Sequence, residues 1–404
     1  MPVRRALAAV AVAAQFLGAQ PGSRGVVMVP HDTFALDAVD SVPAGANRAA
    51  LFTARYHVPD ADDSIRTHFV IQLVSLGSRG DTLLFMRGAP SPTGAKLAGY
   101  EALAQRVGRI GAGDTLRVVL RPSPEFPRLD SARLVSDIAA LAADSMEGRR
   151  IGTAGGARAR AFLVRAFAKI GLTPTGGGFA RTFVVKRSGE LRGANVVGVI
   201  RGTKSADRCL VVSAHYDHLG MRDGVVYHGA DDNASGTAAV LAIAQWFKAH
   251  PPDHSIVFAL FDGEEEGLLG SKAFLDDSPV PIAAIVADVN LDMVSRNVKG
   301  ELYAAGASVN PAMKPLLDSI AAVAPVKLLL GHDTGIGEGN WIQQSDQGPF
   351  AARKIPFVYF GVEDHADYHK PGDTIARIQP GFFFRSARTV AEFVRRLDAA
   401  PLTP

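Results

Sequence analysis

A chain of 404 residues exceeds one ordinary domain and suits two or three. An apolar fraction of 47% can fill a sizeable core, while 21% charged residues, a net charge of +3 and no long run of like charge give no case for a nucleic-acid partner. The single cysteine, Cys209, excludes an internal disulfide.

The first element reads as an export signal over residues 1–19. Arg4 and Arg5 precede an apolar run from Ala6 to Leu17, and Gly18-Ala19 offers small residues for cleavage. That run is too short to span a bilayer, and no other segment is long and apolar enough. The expectation is a secreted or periplasmic protein with no membrane span once the signal is removed. From Gly25 to Pro124 short β-prone runs recur at Ala50–Val58, His68–Leu76, Thr82–Met86 and Thr115–Leu120, separated by turn-rich stretches. One helix is expected over Lys96–Val107. This region reads as a small β-rich domain, without a catalytic constellation, joined by a linker at Pro122–Pro127.

From Leu129 to the end the pattern changes. Helical spacing shows at Leu134, Ile138 and Leu141 and over Ala159–Ile170. Apolar strands are expected at Asn195–Ile200, Leu210–Ala214, Ser255–Phe261, Ala283–Val289 and Pro356–Phe360. Helices are expected at Ala234–Lys248, Leu268–Leu275, Pro311–Ala322 and Phe382–Leu397. Near-continuous apolar strands alternating with helices predict an α/β fold with a mostly parallel mixed sheet covered by helices on both faces. Cys209 falls inside a strand and reads as a small buried residue rather than a reactive thiol.

Chemistry-bearing residues gather just past strand ends, where open α/β sheets bind ligands. His215-Tyr-Asp217 follows one strand; His215 suits a metal ligand, with Asp217 accepting a hydrogen bond from its other ring nitrogen. In Gly229-Ala-Asp-Asp-Asn-Ala-Ser-Gly236, an N-cap role explains Asp232 or Asn233 and leaves Asp231 as the candidate carboxylate bridging two metals. Glu264-Glu-Glu266 follows another strand. Adjacent carboxylates repel unless a cation sits among them, so one Glu can bind metal while its neighbour takes a proton from metal-bound water. Asp292 follows a third strand. In Asp364–Asp373, His369 completes the set, with His365 as its competitor.

The segments Ala214–Gly220, Gly229–Gly236, Glu264–Ser271, Asn290–Met293 and Asp367–Thr374, in this order, resemble the M28 family of zinc peptidases, whose best-known members are aminopeptidases. The resemblance implies two zinc ions per chain. It implies that His215 and Asp292 hold one, Glu265 and His369 the other, and Asp231 bridges them. It further implies Glu264 as general base, Asp217 as the hydrogen-bond partner of His215, Tyr368 as an oxyanion donor and a cis peptide at Asp231-Asp232. A peptide substrate follows. Gln347 stands where the family often carries His, which bears on the substrate pocket. A short link at Ser188–Gly193 stands where some secreted relatives insert a further domain. The rival readings are a carboxypeptidase or dipeptidase of the same family and a single-zinc glutaminyl cyclase on the same scaffold.

Overall fold

The computed structural model describes residues 126–186, 189–335 and 339–400, and within residues 1–125 the backbone of the strands. The chain divides into two compact units, Met1–Glu125 and Phe126–Pro404.

The first unit holds β1 (Val10–Val12), β2 (Arg24–Met28), β3 (Leu36–Pro43), β4 (Ala50–Tyr56), β5 (Thr67–Leu73), β6 (Phe85–Ala89), β7 (Tyr100–Val107) and β8 (Thr115–Pro122). They form two sheets, ordered β1-β2-β8-β7 and β3-β4-β5-β6. Apart from β1, the expected export signal lies outside the described residues. The helix expected over Lys96–Val107 is not formed: Tyr100–Val107 is a strand paired along its whole length with β8. Helix propensity is a weak local preference, and eight cross-strand partners override it.

The second unit opens with α1 (Ser131–Leu141), whose first turn is capped by the Asp130 carboxylate accepting from the Arg133 N–H at 3.0 Å. α2 (Ala154–Ile170) starts on Thr153 and ends at Gly171, which adopts a φ of 81° that favours glycine. The strands follow: β9 (Thr173–Pro174), β10 (Ala180–Lys186), β11 (Glu190–Ile200), β12 (Ser205–His215), β13 (Gly220–Arg222) and β14 (Val225–Tyr227). Then come α3 (Gly236–Ala249), β15 (His254–Phe261), α4 (Leu269–Asp276), β16 (Ile285–Asp292), β17 (Glu301–Ala305), α5 (Lys314–Ala321), β18 (Lys327–Leu330), α6 (Gln347–Ala352), β19 (Phe357–Gly361) and α7 (Pro380–Asp398).

One mixed sheet runs β10-β11-β15-β12-β16-β19-β17-β18, with β9 beside β11. Its centre, β15-β12-β16-β19, is parallel, and the flanks carry antiparallel pairs. Every residue of β15 and β16 is buried, as a sheet covered on both faces requires. Successive side chains serve opposite cores. Leu210, Val212, Ile256 and Phe258 pack with residues of α1, α2, α3 and α7, whereas Val211, Val257 and Ala259 meet Phe274 of α4 and Phe350 of α6. The strand pattern omitted β10, β17 and β18. β10 lies at a sheet edge with alternating half-buried residues, so its sequence lacks the continuous apolar run of the central strands. The link expected at Ser188–Gly193 is mostly the start of β11, which pairs with β10 from Glu190.

Candidate metal centre

Parallel neighbours deliver their last residues to one edge of the sheet. β12 ends on His215 and β16 on Asp292, while Glu264 and Glu265 follow three and four residues after the end of β15. The turn before α3 supplies Asp232, and the loop after β19 supplies His369. Two donor groups result. His215 Nε2 lies 3.2 Å from Asp292 Oδ1 and 3.4 Å from Asp232 Oδ1. His369 Nε2 lies 3.2 Å from Asp232 Oδ2 and 3.1 Å from Glu265 Oε2.

These separations test the fit to a metal. Ligands about 2.0–2.1 Å from a tetrahedral zinc are about 3.3 Å apart by geometry. The His-to-carboxylate separations of both groups fall at that spacing, and the two oxygens of Asp232 divide between them. His218, fully buried, behaves differently. Its Nδ1 is 2.7 Å from the other Glu265 oxygen, Oε1, and 3.6 Å from Asp232 Oδ2. The shorter distance is that of a hydrogen bond, so although His218, Asp232 and Glu265 cluster closely enough to hold an ion, His218 serves as the donor that orients Glu265.

The carboxylate between the two groups is therefore Asp232 and not Asp231. The Asp231 side chain turns away: its Oδ1 accepts the Ser295 N–H at 2.8 Å and the Ser295 hydroxyl at 2.7 Å, and its Oδ2 faces His365 Nε2 at 3.3 Å. The cis peptide bond likewise lies at Asp232-Asn233, not at Asp231-Asp232. The physical reason for the one-residue offset is that Asn233 does the capping. Its Oδ1 accepts the Gly236 N–H at 2.8 Å where α3 begins, which leaves Asp232 without a capping duty. Asp373 then fixes the turn by accepting the Asp231 N–H at 3.0 Å and the Asp232 N–H at 3.0 Å. His365, engaged with Asp231, belongs to neither donor group.

The other sequence-selected residues surround the pair. Asp217 presents its main-chain oxygen 3.3 Å and its Oδ1 3.6 Å from His215 Nδ1. The same Oδ1 accepts the Glu264 N–H at 3.1 Å, so Asp217 ties the Glu264 turn to the His215 strand. Glu264 Oε2 stands 4.0 Å from His215 Nε2, beside the donors without joining them. Tyr368 stacks on His369 with ring centroids 3.9 Å apart. Gln347 is fully buried and does not face an open pocket: its Oε1 accepts from Asn290 Nδ2 at 2.9 Å and its Nε2 donates to the Trp341 carbonyl at 2.5 Å.

Burial and crowding set the electrostatics. Burial first, then Asp346 and Asp292, lift the Glu264 carboxyl well above the carboxylate range against the pull of His215. Burial and the neighbouring Glu265 raise Asp232. Burial would also raise Glu265, but the hydrogen bonds from His218 and His369 outweigh it and hold this carboxyl below its usual range. His369 is lifted to about 10, because Asp232 and Glu265 overcome the opposing effect of burial. Buried carboxylates in mutual repulsion beside neutral-capable imidazoles are the donor chemistry that suits a divalent cation. Cys209 lies outside this centre, and burial pushes its thiol up to about 11, leaving it protonated.

Sequence reasoning missed Arg149, which is fully buried. Its Nε donates to the Tyr216 carbonyl at 2.7 Å, its Nη1 to the carbonyls of Leu141 at 2.8 Å and His228 at 2.6 Å, and its Nη2 to that of Gly229 at 2.8 Å. Burial lowers this guanidinium to about 10, while Asp232, Asp217, Asp373 and Glu265 act to keep it charged. The only prior signal was a run of glycines and arginines, Gly148-Arg-Arg-Ile-Gly152, just before a predicted helix.

The sequence profile described as "Peptidase family M28" matches residues 195–394, the span that carries every candidate metal ligand above but not Arg149. A probable zinc metalloprotease of Pyrenophora tritici-repentis is 36% identical over 110 residues, which cover 26% of this chain and 25% of that protein. The chain thus spans about a quarter or less of the length of the first curated relatives it matches. Among solved structures, BSAP, a zinc aminopeptidase from Bacillus subtilis, superposes with a TM-score of 0.53 at 17% identity, covering 68% of this chain and 96% of that one. An Acidobacteriales bacterium glutaminyl cyclase superposes with a TM-score of 0.57 at 20% identity, covering 69% and 98%. At these identities the likenesses establish a shared fold. Through residues 195–394, this chain belongs to peptidase family M28.

Proposed function

We propose that the chain is a metal-dependent exopeptidase, an aminopeptidase first of all, that hydrolyses peptide bonds with a pair of zinc ions. The observation that carries this reading is the division of Asp232: Oδ1 sits at ligand spacing from His215, and Oδ2 at ligand spacing from His369. His215 and Asp292 would hold one ion, Glu265 and His369 the other, and Asp232 both. When bound, such a pair polarises a substrate carbonyl and acidifies a water.

The chain's own residues do the rest. Glu264 Oε2, beside His215 and outside the donor groups, receives the proton from the attacking water and returns it to the leaving amine. Asp217 holds the Glu264 main chain, and His218 holds the Glu265 oxygen that is not at ligand spacing. Tyr368, fixed against His369, donates to the oxyanion of the tetrahedral intermediate.

The deciding experiment compares free, N-acetylated and C-amidated peptides with purified, zinc-loaded enzyme. An aminopeptidase cleaves the free and C-amidated peptides and leaves the N-acetylated one intact. Cleavage of the free and N-acetylated peptides from the C-terminus, with the C-amidated one left intact, gives the activity to a carboxypeptidase. The fold shared with glutaminyl cyclases makes ring closure of an N-terminal glutamine the second activity to assay, and a single bound zinc would favour it. We further propose export, on the basic-then-apolar order of residues 4–19.

A further inference from the structure

We propose that Arg149 is a positioning residue for the metal centre, one that locks the His215 strand end to the Asp232 turn before any ion binds. This inference rests on the zinc-pair reading above. The guanidinium fork reaches two segments that are far apart in sequence. One is the Tyr216 carbonyl, between His215 and Asp217, and the other is the His228-Gly229 pair of carbonyls that leads into Asp232. A fourth bond to the end of α1, at Leu141, anchors the fork to the helical layer.

The backbone that delivers Arg149 is unusual. Glu147, Gly148 and Arg149 adopt φ values of 48°, 66° and 52° in succession, a region costly for the two that carry a Cβ. Gly148 is confined as well: a Cβ there would lie 2.4 Å from the carbonyl oxygens of both Gly220 and Tyr227. Such a turn persists only where the surroundings over-determine it, and here it buries one cation within electrostatic reach of Asp232, Asp217, Asp373 and Glu265. A fork that donates five N–H groups in fixed directions can satisfy several carbonyls at once, which a lysine ammonium on a flexible stem cannot do from one place.

The test is zinc affinity by chelator competition on the full chain, in wild type, Arg149→Gln and Arg149→Lys, with far-UV circular dichroism and thermal melts of the zinc-free proteins as fold controls. Loss of an outer partner of metal ligands weakens binding about 10–100-fold. Both variants are expected in that range with folded, cooperative zinc-free states, because the fork geometry and not charge alone is required. Wild-type zinc affinity in a folded R149Q would overturn the proposal, as would full rescue by lysine. Hydrogen exchange of the wild-type protein decides independently if neither variant folds. Segments 215–218 and 228–232 are expected to be as protected without zinc as with it, and protection that arises only with zinc would overturn the proposal. A wild-type chain that binds no zinc would instead sink the function proposed above.

Discussion

Asparagine substitution at the two neighbouring aspartates separates a metal-bridging role from a structural one. Asp232→Asn removes a charge and one carboxylate oxygen from a side chain that contributes an oxygen to each donor group. Removing even an outer partner of a ligand costs about 10–100-fold in metal affinity, so loss at a shared ligand is expected to exceed about 100-fold. Asp231→Asn leaves both donor groups intact. It weakens two hydrogen bonds from Ser295 from charged to neutral and sets an amide N–H against His365 Nε2. His365 Nδ1 already receives the Asp367 N–H, so Nε2 carries the imidazole proton and two donors then face each other. At about 1 kcal/mol for each bond, the cost is about 2–3 kcal/mol of stability, or roughly 4–10 °C in Tm for a unit of this size. Metal analysis after chelator dialysis, a thermal melt and an aminoacyl-anilide rate on each variant read all three effects. D232N is expected to lose zinc and turnover, and D231N to lose Tm but keep its zinc. D231N losing its zinc while D232N retains both ions would refute the reasoning.

Glu264→Gln is expected to keep both zinc ions while turnover falls by about 10²–10⁴, the range of a lost general base; wild-type turnover with zinc bound would remove Glu264 from that role. Tyr368→Phe is expected to lower kcat by about 10–100-fold with little change in KM, read from full substrate-saturation curves; an unchanged kcat leaves Tyr368 a packing residue. Burial and the Asp217 charge push the Asp262 carboxyl up to about 7, above the roughly 3.9 of an unfolded chain. Between those values the folded state holds the extra proton, so this group's contribution to stability is present below the unfolded value and is lost as pH rises to about 7. Asp262→Asn removes that loss, so its Tm relative to wild type is expected to rise from pH 4 to pH 7 and to level off above; a constant difference contradicts the assignment.

The sequence made the parallel centre of the sheet legible because strands buried on both faces must be continuously apolar. The same reading located His215, Glu264, Glu265 and Asp292, since polar groups directly after such strands have few places to go except the crevice. The edge strands escaped notice, with alternating or short patterns that many loops share. The choice between Asp231 and Asp232 was not legible from residue types. Two adjacent carboxylates before a helix are chemically equivalent on paper, and only the capping by Asn233 and the grip of Asp373 on the turn tell them apart. His218 lay within the Ala214–Gly220 segment, yet its role depends on a distance to Glu265 that no spacing encodes. Arg149 stayed hidden for the same reason: all of its partners are backbone carbonyls, which leave no residue signature.

The most direct trial of the zinc-pair reading is anomalous diffraction at the zinc edge from crystals of the zinc-loaded full chain. Two peaks are expected, one against His215 and Asp292, the other against Glu265 and His369, with Asp232 touching both. A single peak, or a pair that Asp232 does not join, would contradict it.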